Sequence, residues 1–292
     1  MESADGIRIE EGVTFGTGGG RDLKCDIYTP AGASNAPAVL VLYGGAWRMG
    51  DRGRMRGASL ALARHGYVAV AGEYRLTPES PWPAHIHDVK ANIRWMRANA
   101  TRLNIDESKI SVQGHSAGAH LALLAAGTAH IRDFDGDGGN PGVPTHLAAA
   151  VGVYTPVLFH VGGVRPSGGL PAAALMGEAA TEEGALAASP LTYASPTFPP
   201  TLLIHGSKDT VVPPSASTRM YDALRSVGVP AELHMYANLP HGFARLPSML
   251  NLVQDESANF LLRHVVAPSR IEEELKEQQA QMAAQQAAAA SL

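Results

Sequence analysis

Residues 112–123 read VQGHSAGAHLAL, and in this stretch Ser116 stands between Gly114 and Gly118. The residues before the serine are mostly apolar and those after it are rich in alanine, which predicts a strand that turns sharply into a helix. Such a turn lifts the serine hydroxyl clear of the backbone, and it needs neighbours without side chains because the strand and the helix pass close together. A G-x-S-x-G pattern also arises by chance in a chain rich in Gly and Ala, so its meaning depends on the rest of the sequence.

The rest of the chain alternates strand patterns with helix patterns. Strands are predicted for eight stretches, which begin with an antiparallel pair and continue with apolar runs typical of buried strands: 8–15, 22–29, 37–45, 66–74, 109–114, 146–154, 200–206 and 231–236. Helices are predicted between and after the apolar runs, at 54–65, 85–99, 117–128, 214–227 and 248–265. This order predicts an α/β fold, with a mainly parallel sheet that carries helices on both faces, in a single catalytic domain over residues 1–268.

Two segments depart from this alternation. Residues 155–198 are rich in Gly, Pro and Ala and are too long for a plain connection, so they predict a small lid-like excursion with one short helix near 172–188. Residues 269–292 are charged at first and then rich in Gln and Ala, with a thin apolar face. They predict a helical or disordered C-terminal tail, with an oligomerisation helix as the alternative.

Candidate partners for Ser116 stand just past two of the later predicted strands. A serine hydroxyl becomes a nucleophile when a histidine takes its proton and a carboxylate orients that histidine. Asp209 follows the 200–206 strand in the stretch HGSKDTVVP, and His241 follows the 231–236 strand in NLPHGF. Because an open α/β sheet gathers its site residues at the carboxyl ends of its strands, the sequence predicts a Ser116, Asp209 and His241 catalytic triad.

Acyl transfer also needs hydrogen-bond donors aimed at the oxyanion that develops on the substrate. The backbone N–H of Ala117, directly after the serine and at the start of a helix, is one predicted donor. The loop after the 37–45 run reads YGGAW, and its glycines let the backbone approach a substrate. The N–H groups of Gly45 and Ala46 are the second predicted source, and Gly44 is a weaker candidate for this oxyanion hole.

Several motifs in order resemble a known family. The stretches YGGAWRMGD, EYRLTPESPWPAHIHD, GHSAGAHLA, HGSKDTVVP and PHGF together resemble the hormone-sensitive-lipase-like, or carboxylesterase, branch of the α/β-hydrolases. Within that branch they look closest to small acetyl-xylan and feruloyl esterases. The resemblance implies an α/β-hydrolase fold with an eight-stranded sheet, and ester hydrolysis through an acyl-enzyme without a metal or a cofactor. It also implies the nucleophile, carboxylate and base roles for Ser116, Asp209 and His241.

The oxyanion loop departs from the family pattern in two places, and a second family shares part of it. Tyr43 stands where such loops usually begin with His, and Ala46 replaces the third glycine. Kynurenine formamidases carry a similar HGGxW loop and GHSAGAHL elbow, so an arylformamidase that hydrolyses an amide is the alternative function. The stretch YRLTPESPWP favours the esterases.

The substrate is predicted to be a small-molecule ester with a short acyl chain, and acetyl and feruloyl esters of sugars are the candidates that the resemblance implies. The chain has little sequence before its first strands, so a large two-part cap is not expected and the site should be open or lightly covered. Candidates for pocket walls are Trp47 after the oxyanion loop, Trp82 in the proline-rich loop after Tyr74, His115 before the serine and Phe243 two residues beyond His241.

Composition and charge exclude several classes of partner and indicate a location. The net charge is −4 with no basic stripe, so neither a nucleic acid nor a membrane is an expected partner. Cys25 is the only cysteine and is predicted to be a buried side chain, which fits a reducing compartment. With no apolar leader or spanning stretch in the sequence, a cytoplasmic location is expected. The sequence does not specify the oligomeric state, and a homodimer is a candidate assembly because exposed edge strands make dimers common in this fold.

One stretch imitates a calcium loop, but no metal site is predicted. Asp133, Asp135 and Asp137 have the opening spacing of such a loop, yet Pro144 stands at the twelfth position, where a bidentate Glu is needed. An Asp- and Gly-rich surface turn therefore accounts for this stretch better than a calcium site.

Overall fold

The computed structural model describes residues 3, 5–77, 79–162 and 167–290. Its strands are β1 (Arg8–Gly18), β2 (Arg21–Thr29), β3 (Ala36–Leu42), β4 (Val68–Gly72), β5 (Ile105–His115), β6 (Ala150–Val153), β7 (Phe159–His160), β8 (Leu170–Pro171), β9 (Thr201–Gly206) and β10 (Ala231–Tyr236). Eight of them form one sheet in the order β1-β2-β4-β3-β5-β6-β9-β10, and β7 pairs with β8 separately. Strand β2 is antiparallel to its neighbours β1 and β4, while all other neighbours in the large sheet are parallel. The predicted eight-stranded, mainly parallel sheet is confirmed.

Helices lie at the five positions that the sequence predicts between and after the strands, and further helices occur among the described residues. They are α1 (Arg56–Arg64), α2 (Ala84–Ala98), α3 (Ala100–Leu103), α4 (Ala117–Gly127), α5 (Ala173–Met176), α6 (Glu182–Ala187), α7 (Ser215–Ser226), α8 (Pro247–Leu261) and α9 (Arg270–Ala290). Helix α1 packs against α8, and α2 packs against α4. Every residue of β4 and β9 is buried, so the sheet is covered on both faces at these strands, which is why VAVAG of β4 and residues 202–204 of β9 are apolar.

The parallel register brings the carboxyl ends of the central strands to one edge of the sheet. Leu42 of β3 lies beside Gly114 of β5, and His115 lies beside Val153 of β6. Farther along the sheet, Gly206 of β9 pairs with Tyr236 of β10. The loops that follow β3, β5, β9 and β10 therefore meet at this edge, and these loops carry the predicted site residues.

The excursion over residues 155–198 is more structured than the sequence predicts. It holds two short helices, α5 and α6, where one helix near 172–188 was expected, and Gly177–Ala179 forms a 3-10 turn between them. The side chains of Val157, Phe159 and Leu175 are buried in the core. Much of the excursion is thus packed onto the domain, and residues 163–166 of the predicted lid lie outside the described residues.

Cationic side chains of α2 hold the stretch that imitates a calcium loop. The Lys90 ammonium is fully buried and donates hydrogen bonds to the carbonyl oxygens of Thr128 and Ile131 and to the carboxylate of Asp135. Arg94, on the same helix, donates to the backbone oxygens of Asp135 and Gly139. These protein cations bind one of the three aspartates of this stretch and two of its backbone oxygens. No cluster of three or more metal-ligating side chains occurs among the described residues.

The C-terminal segment is helical and stands on the surface. Helix α9 begins at Arg270, and all its side chains are exposed from there to Gln286. Its apolar residues are partly covered at most, with Ile271, Leu275 and Met282 each exposed by more than two fifths. In the part of the chain that the structure describes, no helix has both the length and the apolar character needed to cross a membrane.

Candidate active site

Ser116 lies at a sharp turn between β5 and α4, with backbone angles φ 54° and ψ −117°. A non-glycine residue in this region of backbone space is strained, and such strain is concentrated at functional sites. The flanking glycines are required by space. A Cβ atom at Gly114 would collide with the backbone oxygen of Gly118, and one at Gly118 would collide with the carbonyl oxygens of Leu42 and Tyr43. The predicted strand-to-helix turn is therefore present, and it leaves the serine side chain half-buried at the sheet edge.

The three residues predicted as a triad form one hydrogen-bonded line. Ser116 Oγ lies 2.9 Å from His241 Nε2, and His241 Nδ1 lies 2.6 Å from Asp209 Oδ2. Because an ionised carboxylate can only accept, Nδ1 carries the proton of the neutral imidazole and Nε2 is the acceptor for the serine hydroxyl. In this tautomer, the lone pair of Nε2 is directed at the group whose proton it would remove.

The loop after β9 holds Asp209 as an anion. Its Oδ1 accepts hydrogen bonds from the backbone N–H groups of Val211 and Val212, each at 2.9 Å. The buried His205 Nε2 donates to the carbonyl of Val212 and also lies 3.2 Å from Asp209 Oδ2. Burial alone would raise the pKa of Asp209, but the hydrogen bonds from His205, His241 and Val212 outweigh it and hold that pKa well below its ordinary value.

Sequence reasoning missed Tyr154, which lies directly after β6 and is 2% exposed. Its φ angle is 45°, an unusual value for a bulky residue. The phenol ring packs against the imidazole of His241, and its hydroxyl is 3.1 Å from Nδ1 of His115, the neighbour of the serine. Tyr154 thus contacts the histidine directly and the serine turn through one side chain. Tyr154 is part of no motif, so the sequence carries no signal that would identify it as a site residue.

The glycine-rich loop after β3 passes close to Ser116. A Cβ at Gly44 would lie 2.7 Å from the carbonyl oxygen of His115 and 3.0 Å from the Cβ of Ser116. Within the described ranges, no acceptor pairs with the N–H groups of Gly45, Ala46 or Ala117. The Ala117 N–H is at the amino end of α4, where the helix dipole favours negative charge. Unpaired donors thus lie on both segments that were predicted to supply an oxyanion hole.

Three of the four predicted pocket residues lie in the packing behind the site. Trp47 is 3% exposed, and its Nε1 donates to Nδ1 of the buried His120 at 3.0 Å. His115 is 7% exposed, and Phe243, at 2%, packs against Tyr154. Trp82 is partly exposed, close to His85 and Phe134. The role of all four in a pocket stays a prediction.

Sequence comparisons identify related proteins. The model of the BD-FAE family matches residues 25–224 of the chain. The probable carboxylic ester hydrolase LipM of Mycobacterium tuberculosis is 34% identical over 236 residues, which cover 73% of this chain and 51% of LipM. Esterase LipC of the same organism is 34% identical over 228 residues, which cover 71% of this chain and 53% of LipC. The chain thus spans about half the length of the curated relatives it matches.

Solved structures share the fold. A truncated carbohydrate esterase from gut microbiota superposes with a TM-score of 0.77 at 26% identity, covering 89% of this chain and 99% of that one. The thermophilic esterase Est2 of Thermogutta terrifontis superposes with a TM-score of 0.74 at 26% identity, covering 88% and 92% of the two chains. The resemblance to α/β-hydrolase carboxylesterases is confirmed. Because the family match extends over more than half of the sequence, the chain belongs to the BD-FAE family and has the α/β-hydrolase fold.

Proposed function

We propose that the protein is a serine esterase that hydrolyses short-chain carboxylic esters. Ser116 is the nucleophile, His241 the general base and Asp209 the carboxylate that orients the base. The observation that carries this proposal is the line from Ser116 Oγ to His241 Nε2 at 2.9 Å and from His241 Nδ1 to Asp209 Oδ2 at 2.6 Å. The chain belongs to the BD-FAE family and is similar to proteins named as esterases, and both findings support the same reaction.

Acylation begins when Ser116 Oγ attacks the ester carbonyl carbon. The hydroxyl proton passes to His241 Nε2, and the carbonyl oxygen becomes an oxyanion that accepts hydrogen bonds from Gly45, Ala46 and Ala117. Collapse of this intermediate breaks the bond to the alcohol oxygen, which takes the proton from Nε2 and leaves as a neutral alcohol. The acyl group remains on Ser116 as an ester.

Deacylation repeats these steps with water. His241 Nε2 takes a proton from a water molecule, whose oxygen attacks the acyl carbon. A second oxyanion forms and accepts hydrogen bonds from the same N–H groups. When the intermediate collapses, the Ser116 oxygen leaves and recovers a proton from Nε2. The products are the carboxylic acid and the free enzyme. In both halves, the Asp209 anion stabilises the imidazolium that forms on His241.

The substrate class that we infer is a short acyl chain on a small alcohol, which includes acetyl and feruloyl esters of sugars. Structures of the similar esterase Est2 hold propionate and butyrate, both short acids. A carbohydrate esterase superposes over nearly its whole length, which supports a sugar as the alcohol.

A panel of substrates tests this function. We expect p-nitrophenyl acetate and butyrate to be hydrolysed faster than long-chain esters. The rates with acetylated sugars and with methyl ferulate show whether the acetyl or the feruloyl group is the preferred acyl group. N-formylkynurenine tests the amide alternative, and its faster turnover would favour an arylformamidase. A fluorophosphonate should label the wild-type protein and should not label Ser116→Ala. The matched control is Ser226→Ala at the end of α7, which should be labelled like the wild type. Labelling that survives Ser116→Ala would contradict the proposed nucleophile.

Two further expectations stay predictions. A homodimer is supported by the edge strand β10, which keeps Met235 partly exposed. Its measurement is the molar mass in solution by light scattering. A cytoplasmic location is supported by the single free thiol of Cys25, which is buried and needs no oxidising compartment. Fractionation of the native cells would test it.

A further inference from the structure

Tyr43, which stands where related oxyanion loops usually begin with His, is stacked on Tyr74 in the core. The ring centroids are 4.4 Å apart and the planes are inclined by 12°. Tyr43 is 2% exposed and Tyr74 is 1% exposed. The two residues follow β3 and β4, which are neighbours in the sheet and end in register at Leu42 and Gly72. The stack therefore forms at the same edge of the sheet as Ser116.

Each hydroxyl of the stacked pair is bonded to the backbone of the other residue. Tyr74 Oη donates to the carbonyl oxygen of Tyr43 at 2.8 Å, and Tyr43 Oη donates to the carbonyl oxygen of Tyr74 at 3.1 Å. Burial raises the pKa of both phenols, so both stay protonated and remain donors at neutral pH. The pair is chemically symmetric, but the two carbonyl groups lie in different parts of the site.

The carbonyl of Tyr43 belongs to the first peptide of the oxyanion loop. A peptide unit is planar, so a hydrogen bond that fixes the Tyr43 oxygen also fixes the direction of the Gly44 N–H. The same oxygen lies against Gly118 of α4, where a Cβ atom would strike it. The carbonyl of Tyr74, by contrast, lies in the segment after β4, outside the oxyanion loop.

The segment that carries Tyr74 also holds the far end of the loop. The N–H of Thr77 donates to the carbonyl oxygen of Trp47 at 2.8 Å. Between these two anchors lie residues 44–46, with the unpaired N–H groups. The segment is itself fixed to α2, because Arg75 binds the buried carboxylate of Asp88 through its backbone N–H and its guanidinium, at distances of 2.7–3.1 Å.

We propose that Tyr74 is a positioning residue for the oxyanion hole. Its hydroxyl holds the Tyr43–Gly44 peptide, and Thr77 holds the Trp47 end, so that the N–H groups of Gly45 and Ala46 stay directed toward the carbonyl oxygen of the ester that Ser116 attacks. This inference rests on the proposed esterase function. It assigns to Tyr74 and the stacked Tyr43 ring the anchoring of a loop that begins without histidine.

The crossed hydrogen bonds supply a matched pair of variants. Tyr74→Phe and Tyr43→Phe each remove one hydroxyl from the same buried stack and leave both rings in place. Only Tyr74→Phe releases the carbonyl of the oxyanion loop. Loss of a single oxyanion donor lowers kcat by about 100-fold or more in a serine protease, and loosening an anchor behind the donors should cost less. We expect Tyr74→Phe to lower kcat about tenfold with KM within about twofold, and Tyr43→Phe to change kcat by less than about threefold.

A transition-state analogue separates positioning from stability. The affinity for a trifluoromethyl ketone, which forms an oxyanion on Ser116, should weaken in Tyr74→Phe by the same factor as kcat/KM. The melting temperatures of the two variants should fall by similar amounts, because each loses one buried hydrogen bond. If Tyr74→Phe is too unstable for turnover assays, its rate of fluorophosphonate labelling at lower temperature gives the same comparison.

The outcomes are distinct from those that test the function itself. If the wild-type protein hydrolyses no ester of the panel, the proposed function fails. If the wild type is active and the two tyrosine variants have equal kcat, the inference about Tyr74 is wrong and the function stands. Ketone affinity unchanged in Tyr74→Phe would also overturn the inference.

Discussion

The phenol ring of Tyr154 packs against the imidazole of His241, with ring centroids 4.7 Å apart and planes inclined by 56°. Val153, the residue before it, accepts a hydrogen bond from the N–H of Ser116 at 2.9 Å. The end of β6 therefore supports both the proposed nucleophile and the proposed base. The positive φ of Tyr154 indicates that the surrounding structure imposes this position on a residue that would otherwise avoid it.

We expect Tyr154→Leu to lower kcat/KM for p-nitrophenyl acetate about tenfold, because the imidazole loses the ring that limits its position. Tyr154→Phe is the matched variant. It keeps the ring and loses only the hydrogen bond to His115, so we expect its kcat/KM within about threefold of wild type. If both variants are equally slow, the hydroxyl rather than the ring is the contribution of Tyr154.

Asp209 should make the stability of the fold depend on pH in the acid range. The folded protein holds the pKa of Asp209 well below its ordinary value, so the unfolded chain binds a proton at this carboxyl more readily. Stability from this group is present above the unfolded pKa of about 4 and is lost as the pH falls toward the lower folded pKa.

We expect the wild-type melting temperature to fall more steeply than that of Asp209→Asn as the pH is lowered from about 6 to about 3. Thermal unfolding followed by circular dichroism measures both curves. Asp222→Asn, which removes an exposed carboxyl of α7, is the control and should run parallel to wild type. Parallel curves for wild type and Asp209→Asn would show that the Asp209 contacts do not favour its charged form.

The inner strands of the sheet could be predicted from the sequence because they are covered on both faces. In β9 residues 202–204 form an apolar run, and prediction and structure differ there by one residue. The ends of strands were less certain. Strand β5 begins at Ile105, earlier than the predicted start at Lys109. Residues 106–108 are polar and partly or fully exposed, so this part of the strand lacks the apolar signal.

The predicted site residues could be found because each has a fixed place after a strand. The residues that hold them in position have no such fixed place in the sequence. Tyr43 and Tyr74 are 31 positions apart, and only the pairing of β3 with β4 brings them together. Two of the three partners of Lys90 are backbone oxygens, which any sequence would supply. Contacts of this kind depend on the register and on the loops, and a single sequence does not specify them.

Lys90 should stabilise the stretch that imitates a calcium loop without any metal. Lys90→Met removes one donor from the carbonyl oxygens of Thr128 and Ile131 and from the Asp135 carboxylate, so we expect the free energy of unfolding to fall by roughly 1–3 kcal/mol. Urea unfolding measures this change. Lys109→Met, which loses a more exposed ion pair with Asp106, is the control, with an expected loss of less than about 1 kcal/mol. EDTA should leave wild-type unfolding unchanged, and destabilisation by EDTA would show that a bound metal contributes.

Gly118 should tolerate no side chain, because α4 and β3 touch at this residue. The methyl group of Gly118→Ala would meet the carbonyl oxygens of Leu42 and Tyr43, which are backbone atoms and cannot move aside cheaply. We expect a loss of about 3 kcal/mol in the free energy of unfolding, and a fall in kcat because the displaced Tyr43 carbonyl begins the oxyanion loop. Gly57→Ala is the matched control, since its methyl group would meet only the flexible end of Leu250 and alanine favours the helix α1 by about 1 kcal/mol. Equal stability and activity of the two variants would mean that the backbones of β3 and α4 can separate at Gly118 without cost. The close contact between them would then have no part in holding the oxyanion loop beside Ser116.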